Sequence, residues 1–273
     1  MISFSYAADL PTNTIAFSAL SSYDTAIKNP VIFNMPKELQ EISGIAMTDD
    51  GRLFTHDDEL GVIYQIDYNT GSVVKRFSLG IKPVHADFED IAIVKDKFFL
   101  VASNGKIFKF SEGKNSESVA YEVYVTPLSS RNNIEGLCYD VDTYSLLLAC
   151  KQFPGEGYDD SRAVYSFSLK KMKLEKEPRF LISLNELKNK FGMKGFKPSS
   201  ITRHPQTGTF FILSAHEPSI IELSSRGEIL GCVKLPESVH RQPEGITFAP
   251  DLTLFISNEG VKHGTIVRYP VKP

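Results

Sequence analysis

Short apolar runs separated by polar turns fill most of this chain, and a six-residue pattern precedes each group of runs. The pattern reads EISGIA at 41–46, FEDIAI at 88–93 (offset by one), NIEGLC at 133–138, KPSSIT at 197–202 and QPEGIT at 242–247. Each copy continues with a turn and then with a second, a third and usually a fourth β-rich run, which is typical of antiparallel strands. The chain is therefore built from one repeated unit.

The spacing of the repeat predicts its architecture. Aligned on the residue before the small position, the copies form one column, which contains Ser43, Glu89, Glu135, Ser199 and Glu244. Successive members lie 46, 46, 64 and 45 residues apart. A unit of this size with four short strands is one blade of a β-propeller. We predict an all-β fold in which residues 30–273 form a single propeller of five four-stranded blades, preceded by an N-terminal segment, 1–29.

The two ends of the chain indicate how the ring closes. The fifth repeat ends after three strands, and the apolar run PVIFNMP at 30–36 precedes the first hexamer. This N-terminal strand is predicted to complete the last blade, which removes the exposed edge of an open array. The alternative, a sixth blade, would have to come from residues 1–29, which lack the hexamer. The long third interval contains SLNELKNKFGMKG, whose leucine spacing and initial serine predict a short helix.

Composition removes several classes of function. The chain has 30 Lys and Arg against 33 Asp and Glu, without the basic cluster that nucleic-acid binding needs. Its three cysteines have neither zinc spacing nor the even number of a disulfide framework. No apolar stretch approaches the ~20 residues of a membrane helix. We expect a monomer that does not bind nucleic acid and has no transmembrane segment in this chain.

Propeller geometry predicts where polar residues converge. The innermost strand of each blade starts beside the channel on one face, and the second strand returns to that face. The hexamer column and the ends of the second runs should therefore form one polar channel mouth. Besides the three glutamates, its predicted residues are Ser43, Asp57, Asp58, Ser103, Asn104, Ser199, Ser214, Asn258 and Glu259.

The three glutamates of the column, Glu89, Glu135 and Glu244, suggest a metal site. Like charges in a channel repel each other unless a cation lies between them or they take up protons. Carboxylate, amide and hydroxyl oxygens suit Ca²⁺ or Mg²⁺ better than zinc, so we predict a site for one of these two ions. The alternative is that the glutamates accept backbone N–H bonds from neighbouring blades and only hold the ring together.

Basic residues beside the column suggest an anionic ligand. Arg131 and Arg241 precede hexamer positions, and Lys151 follows the second run of the third repeat. Arginine and lysine around a metal would suit a small anion, such as a phosphate, held between the two. The alternative is that these are ordinary polar residues of loop tips.

The motifs EISGIAMTDDGRL, FEDIAI, NIEGLCYD, LLLACK, FKPSSITRHPQTG and RQPEGITFAPDLTLFISNEG resemble the bacterial SdiA-regulated (YjiK-like) propeller family over about residues 36–270. That group is similar to phytase-like and strictosidine synthase-like propellers, and some members carry the label of predicted phosphohydrolase. Phytase-like propellers hold calcium in the channel with motifs like QPEGIT and NIEGLC, so the resemblance implies Glu135 and Glu244, and less firmly Glu89, as ligands. Ser43 and Ser199 depart from that pattern, as does the lack of a dense lysine and arginine set.

The resemblance also implies a location. Family members are often exported and tethered to the cell envelope, which implies a periplasmic or cell-surface protein, membrane-tethered through a removed N-terminal signal. The partner would be a small anionic molecule or an envelope component.

Three functions are compatible with these residues. The first is a calcium-binding scaffold or ligand-binding propeller that acts through the channel mouth. The second is a metal-dependent phosphoesterase, in which the metal activates water and Lys151, Arg131 or Arg241 steadies the phosphoryl oxygens. A lactonase-like hydrolase with Glu135, Asn258 and Asp57 around one cation ranks third. No GxSxG, HExxH or Gly-rich phosphate motif supports another mechanism.

Overall fold

A computed structural model describes residues 18–27 and 30–272 of the chain. In it, five small antiparallel sheets surround a central channel, which confirms the predicted five-bladed propeller. The innermost strands of adjacent blades lie next to each other all the way round, so the ring is closed.

The strands follow the repeat. The first strand, β1 (Val31–Asn34), precedes the hexamers. Blade 1 contains β2 (Ile42–Met47), β3 (Leu53–Asp57), β4 (Val62–Asp67) and β5 (Ser72–Leu79). Blade 2 contains β6 (Phe88–Val94), β7 (Lys97–Ala102), β8 (Lys106–Ser111) and the outer strand β10 (Tyr121–Val125). Between β8 and β10 the chain forms the short β9 (Ser118–Val119), which pairs with β5 of blade 1.

The remaining blades are built in the same way. Blade 3 contains β11 (Ile134–Asp140), β12 (Ser145–Cys150), β13 (Ser161–Ser168), β14 (Lys173–Leu174) and β15 (Phe180–Ser183), the last two sharing the edge of β13. Blade 4 contains β16 (Pro198–Arg203), β17 (Phe210–Ser214), β18 (Ser219–Leu223) and β19 (Ile229–Lys234). Blade 5 contains β20 (Pro243–Phe248), β21 (Leu254–Asn258) and β22 (Thr265–Tyr269).

The N-terminal strand closes the ring as predicted. β1 pairs antiparallel with β22 and so becomes the outer strand of blade 5. Just before it, residues 18–27 include a 3₁₀ turn, Ala19–Ser22, and Leu20 and Tyr23 are buried in the core between blades 4 and 5. The rest of the predicted N-terminal segment, residues 1–17, 28 and 29, lies outside the described residues.

The long third interval contains the predicted helix. α1 (Leu184–Phe191) begins after Ser183, whose hydroxyl accepts a hydrogen bond from the Glu186 N–H, and ends at Gly192 with a φ of 67°. The serine cap and the left-handed glycine satisfy backbone groups that the helix ends leave free. A second 3₁₀ turn spans Lys37–Leu39. Within the described part of the chain, no helix is long and apolar enough to cross a membrane.

The hydrophobic core is divided into five clusters, each between two neighbouring blades. Between blades 1 and 2, for example, Phe54 and Phe98 meet edge to face with ring centroids 5.0 Å apart. Every blade therefore buries both faces against its neighbours. Because each sheet depends on the next, the blades are expected to stabilise each other as one ring.

The small position of the hexamer lies where the innermost strands approach each other most closely. A Cβ atom at Gly44 would overlap Asp90 Oδ1, and one at Gly245 would overlap Ser257 Oγ. The equivalent small position is occupied by Asp90 in blade 2 and by Ser200 in blade 4. Glycine is therefore needed where a neighbouring side chain or strand fills the centre of the ring.

Candidate functional site

The predicted column residues share one backbone feature. In each blade the pairing of the two innermost strands shifts register at the column position, as between Ile134 and Gly136 or between Pro243 and Gly245. Glu135 and Glu244 are thus extra residues of β-bulges. A bulge bends its strand and turns the extra side chain out of the regular pleat. The hexamer therefore places its column residue at the channel mouth by local backbone geometry.

Glu89, Glu135 and Glu244, hereafter the channel triad, lie close enough for their charges to act on one another, and Lys151 lies beside them. Lys151 Nζ donates a hydrogen bond to Glu135 Oε1 at 2.8 Å, and the same oxygen accepts one from Asn133 Nδ2 at 2.6 Å. Glu135 is buried, and its side chain is 4% exposed against 27% for Lys151. Lys151 also interacts electrostatically with Glu89 and Glu244. The ammonium group is thus the internal counterion of the triad.

The triad strongly resists full ionisation. Burial, and then the charges of Glu135, Asp87 and Glu244, raise the pKa of Glu89 to about 10. Burial and the Glu135 charge raise the pKa of Glu244 to about 8, although Lys151 opposes this. Burial raises the pKa of Glu135 as well, against the effect of Lys151. One lysine therefore does not neutralise three carboxylates, of which Glu135 is buried and Glu89 and Glu244 are half-buried, and a further cation would favour their ionised forms.

A second carboxylate group, hereafter the rim carboxylates, is formed by Glu41, Asp57 and Asp58. One oxygen from each lies within 4.8 Å of the others. Burial and the charges of Asp57, Glu41 and Glu259 raise the pKa of Asp58 to about 7. Asp58 Oδ1 is buried and has no hydrogen-bond partner among the described residues. Three oxygens at this separation are close enough to bind one ion.

Glu259 joins the two groups. Its carboxylate accepts a hydrogen bond from Gln242 Nε2, and its charge raises the pKa values of both Asp58 and Glu244. The mouth is therefore one continuous acidic field, to which Asp87 and Glu59 also contribute. The basic side chain that opposes this field is Lys151.

Two predicted mouth residues, Ser43 and Ser199, connect blades instead of facing a ligand. The Ser43 hydroxyl donates to Glu89 O at 2.6 Å, and the Ser199 hydroxyl donates to Pro243 O at 2.7 Å. Both acceptors lie in the innermost strand of the following blade. Where the column residue is serine, it therefore hydrogen-bonds to the next blade, whereas the glutamates reach into the channel.

The other predicted mouth residues lie at the same end but are occupied by local contacts. Ser214 Oγ accepts a hydrogen bond from the Lys197 N–H. Asn258 is buried, and its Oδ1 is 2.8 Å from Nδ1 of the buried His240. Asn104 Oδ1 accepts a bond from the Lys106 N–H, and the neighbouring Ser103 is buried. These residues shape the loops around the mouth.

The three candidate anion-binding residues have different surroundings. Lys151 lies beside the triad, as described above. The Arg131 guanidinium stacks over the Phe153 ring, 3.5 Å from its centroid, and contacts Glu156 at 3.3 Å. Arg241 is exposed. The structure therefore brings only Lys151 into contact with the triad.

Three residues of the mouth were missed by the sequence reasoning, although a signal was present. Glu41, Asp87 and Asn133 each stand two positions before the column, and Lys197 and Gln242 are their equivalents in blades 4 and 5. All five positions lie immediately before the innermost strand of their blade, at the end of the strand that borders the mouth. The polar character of this second column could thus have identified it as part of the mouth.

The donor chemistry of the mouth fits an oxygen-binding divalent cation. Three ionised triad carboxylates and one Lys151 ammonium sum to a charge of −2, which one divalent ion balances. The rim carboxylates offer oxygens at a suitable separation and have no described basic partner. A set of candidate ligand atoms made of carboxylate oxygens is typical of calcium sites.

Comparisons with solved structures agree with the fold. A luciferin-regenerating enzyme is 14% identical, with a TM-score of 0.56 over 89% of this chain and 95% of its own. Myxococcus xanthus glutaminyl cyclase is 13% identical, with a TM-score of 0.57 over 90% and 97%. A streptogramin B lyase is 11% identical, with a TM-score of 0.52 over 89% and 98%. At these identities the likeness concerns the fold.

The sequence comparison identifies the family. No curated protein sequence matches the chain. The family model named SdiA-regulated, in contrast, matches residues 16–260 and so includes all five hexamers and the triad. This confirms the resemblance seen in the motifs. The chain belongs to the SdiA-regulated family.

Proposed function

We propose that this chain is a calcium-binding β-propeller of the bacterial cell envelope that binds a ligand through its channel mouth. The observation that carries the proposal is the convergence of the channel triad and the rim carboxylates on one end of the channel, with Lys151 as the internal counterion of the triad. Such a surplus of largely half-buried negative charge is costly unless a cation or protons balance it.

The rim carboxylates are the first candidate ligands for calcium. Their oxygens lie within 4.8 Å of one another, and Asp58 Oδ1 is buried without a described partner. The triad is the second candidate, because Lys151 already occupies one oxygen of Glu135. Bound calcium would supply positive charge at the mouth and so let an anionic ligand approach a surface that is otherwise repulsive to it.

The phosphoesterase alternative has less support. A phosphoryl group needs several free cationic donors around the metal. Of the candidates, Lys151 is paired with Glu135 and Arg131 with Glu156. We therefore favour a binding module, with the envelope location resting on the family resemblance alone.

Calorimetric titration of EDTA-treated protein with calcium, and separately with magnesium, tests the proposal. We expect saturable calcium binding that Asp58→Asn weakens strongly. Glu89→Gln should weaken calcium binding more than Asp58→Asn does only if calcium binds at the triad. Glu237→Gln, at an exposed glutamate, is the matched control and should not change affinity. Absence of calcium binding to the wild-type protein would contradict the proposal.

A phosphoesterase screen with and without calcium separates the two functions. Under the proposal, phosphate monoesters and diesters are not hydrolysed even when calcium is bound. Calcium-dependent turnover that is lost in Asp58→Asn or Glu89→Gln would replace the binding module by the hydrolase.

A further inference from the structure

A cavity of about 500 Å³ opens at the end of the channel opposite to the mouth. It lies among the final residues of the five innermost strands and the turns that follow them, so all blades contribute to its wall. This volume lies within the range of roughly 300–1,000 Å³ that is typical of small-molecule sites.

The inner end of the cavity is closed. Ile45, Ile91, Leu137, Ile201 and Ile246 line it there, one from each blade, and all five are buried. Asp90, which precedes Ile91, fills the ring on the side toward the mouth. The cavity is therefore separated from the channel triad by a layer of apolar side chains and one buried carboxylate.

The wall of the cavity is mainly apolar and aromatic. Met47, Ile93, Tyr139 and Phe248 line its middle, and Val141 stands at the rim with 54% of its surface exposed. These large side chains also pack into four of the cores between the blades. The wall is thus held in shape by the blades themselves, which makes the cavity a preformed site.

A few polar groups face this apolar wall. Thr202 and Thr247 line the cavity from blades 4 and 5, and Thr247 is only 6% exposed. Neither hydroxyl makes a hydrogen bond with a residue that the structure describes. A hydroxyl that lines a cavity without a protein partner is available to hydrogen-bond with a ligand.

Charges of both signs stand at the outer rim. Arg203 lines the cavity but contacts Asp142 at 2.7 Å and Asp140 at 3.6 Å. Lys95 and Asp49 contribute one charge of each sign. No cluster of one sign at the rim therefore points to an ionic ligand.

We propose that this cavity binds a small uncharged molecule with an apolar body and a hydrogen-bonding oxygen, such as a carbonyl or hydroxyl group. The apolar wall accommodates the body, and the hydroxyls of Thr202 and Thr247 bind the oxygen. The site is distinct from the calcium-dependent mouth and does not depend on it.

The probe for the test is 6-propionyl-2-dimethylaminonaphthalene, an uncharged ketone whose emission shifts to shorter wavelength in apolar surroundings. The chain contains no tryptophan, so the background emission is low. We expect saturable binding of one probe per chain, with the same affinity in calcium and in EDTA.

Two variants and one control locate the probe. Val141→Trp narrows the opening from an exposed position and should weaken binding at least tenfold. Val261→Trp places the same side chain at an 83% exposed valine in the loop after β21, at the mouth end, and should leave binding unchanged. The double variant Thr202→Val, Thr247→Val keeps the cavity shape and should weaken binding by about threefold to tenfold through the lost hydrogen bonds.

Each variant is first checked for a thermal unfolding transition like that of the wild-type protein, so that a change in probe binding cannot result from misfolding. Lack of saturable binding, or equal weakening by Val141→Trp and Val261→Trp, would overturn the site. Binding that Val141→Trp weakens but the double threonine variant leaves intact would overturn the proposed hydrogen-bonding chemistry. Loss of binding in EDTA would place the probe at the mouth and overturn the proposal as well.

Discussion

The Asp90 carboxylate accepts a hydrogen bond from the Ser200 hydroxyl at 2.8 Å, which joins blade 2 to blade 4 across the centre of the ring. The same carboxylate accepts bonds from the N–H groups of Ile91 and Leu137, both at 2.8 Å. Ser200 in turn accepts a bond from the Ile246 N–H of blade 5 at 3.3 Å. One buried aspartate therefore organises the innermost strands of four blades, although burial raises its pKa well above the usual range.

Replacement of Asp90 by alanine should destabilise the whole ring. It leaves three buried donors without an acceptor, at a cost of about 1 kcal/mol or more each, so the free energy of unfolding should fall by about 3 kcal/mol. Asp90→Asn keeps one acceptor oxygen and should cost less. Chemical denaturation measures both, with the exposed Asp96→Ala as control. Equal stability of Asp90→Ala and wild type would contradict this role.

Removal of the Lys151 ammonium should have opposite effects on stability and on calcium affinity. Lys151→Met leaves Glu135 buried without its counterion and should lower the free energy of unfolding in EDTA by about 3 kcal/mol. The mouth also gains one negative charge, so calcium should bind more tightly. The double variant Glu135→Gln, Lys151→Met should recover most of the stability. Thermal unfolding and calorimetry test this, and a weaker calcium affinity in Lys151→Met would count against a site beside the triad.

Stability without calcium should depend on pH through the triad. The ordinary glutamate pKa of 4.5 rises to about 8 in Glu244 and to about 10 in Glu89 when the chain is folded. The folded state therefore holds these protons more tightly than the unfolded state does, so the free energy of unfolding falls as the pH rises from about 4.5 through 8 to 10. Denaturant midpoints in EDTA should fall between pH 6 and pH 9. The fall should be smaller in Glu89→Gln, and an identical slope would contradict the assignment.

Calcium binding near the triad should release protons at neutral pH. A cation favours the ionised carboxylates, so Glu89 and Glu244 would lose protons when calcium binds. Titrations in two buffers with different ionisation enthalpies should then give different apparent heats. Because Asp58, with a pKa of about 7, would lose a proton in the same way, a heat that is independent of the buffer would contradict calcium binding both at the triad and at the rim carboxylates.

Ring closure by the N-terminal strand should be essential for the monomer. A chain that begins at Met35 lacks β1 and the buried Tyr23, whose hydroxyl donates to Leu252 O at 3.0 Å. It exposes the edge of β22, which is free to pair with another chain. We expect a lower melting temperature and concentration-dependent association in sedimentation experiments. A Tyr23→Phe variant of the full chain separates the loss of this hydrogen bond from the loss of the strand.

The sequence predicted most of the architecture because the repeat is local. Each hexamer carries its own bulge, turn and strand pattern, so the period near 45 residues indicated five blades, and the unpaired run at 30–36 indicated ring closure. Ser183 and the leucine spacing similarly identified α1. The column of Glu89, Glu135 and Glu244 could be seen without coordinates, since equivalent positions in a closed ring must converge.

Three relationships could not be predicted from the repeat. They are the pairing of Lys151 with Glu135, the grouping of Glu41 with Asp57 and Asp58, and the central position of Asp90. Each depends on distances between blades, which the repeat period does not contain. The same applies to the cavity at the far end of the channel, whose walls come from five separate segments.

The sequence by itself determined the blades and their order, because strand pattern and turn chemistry act over a few residues. Only the tertiary structure decided which charges meet and what space remains between them, because closing the ring brings together side chains that are far apart in the chain.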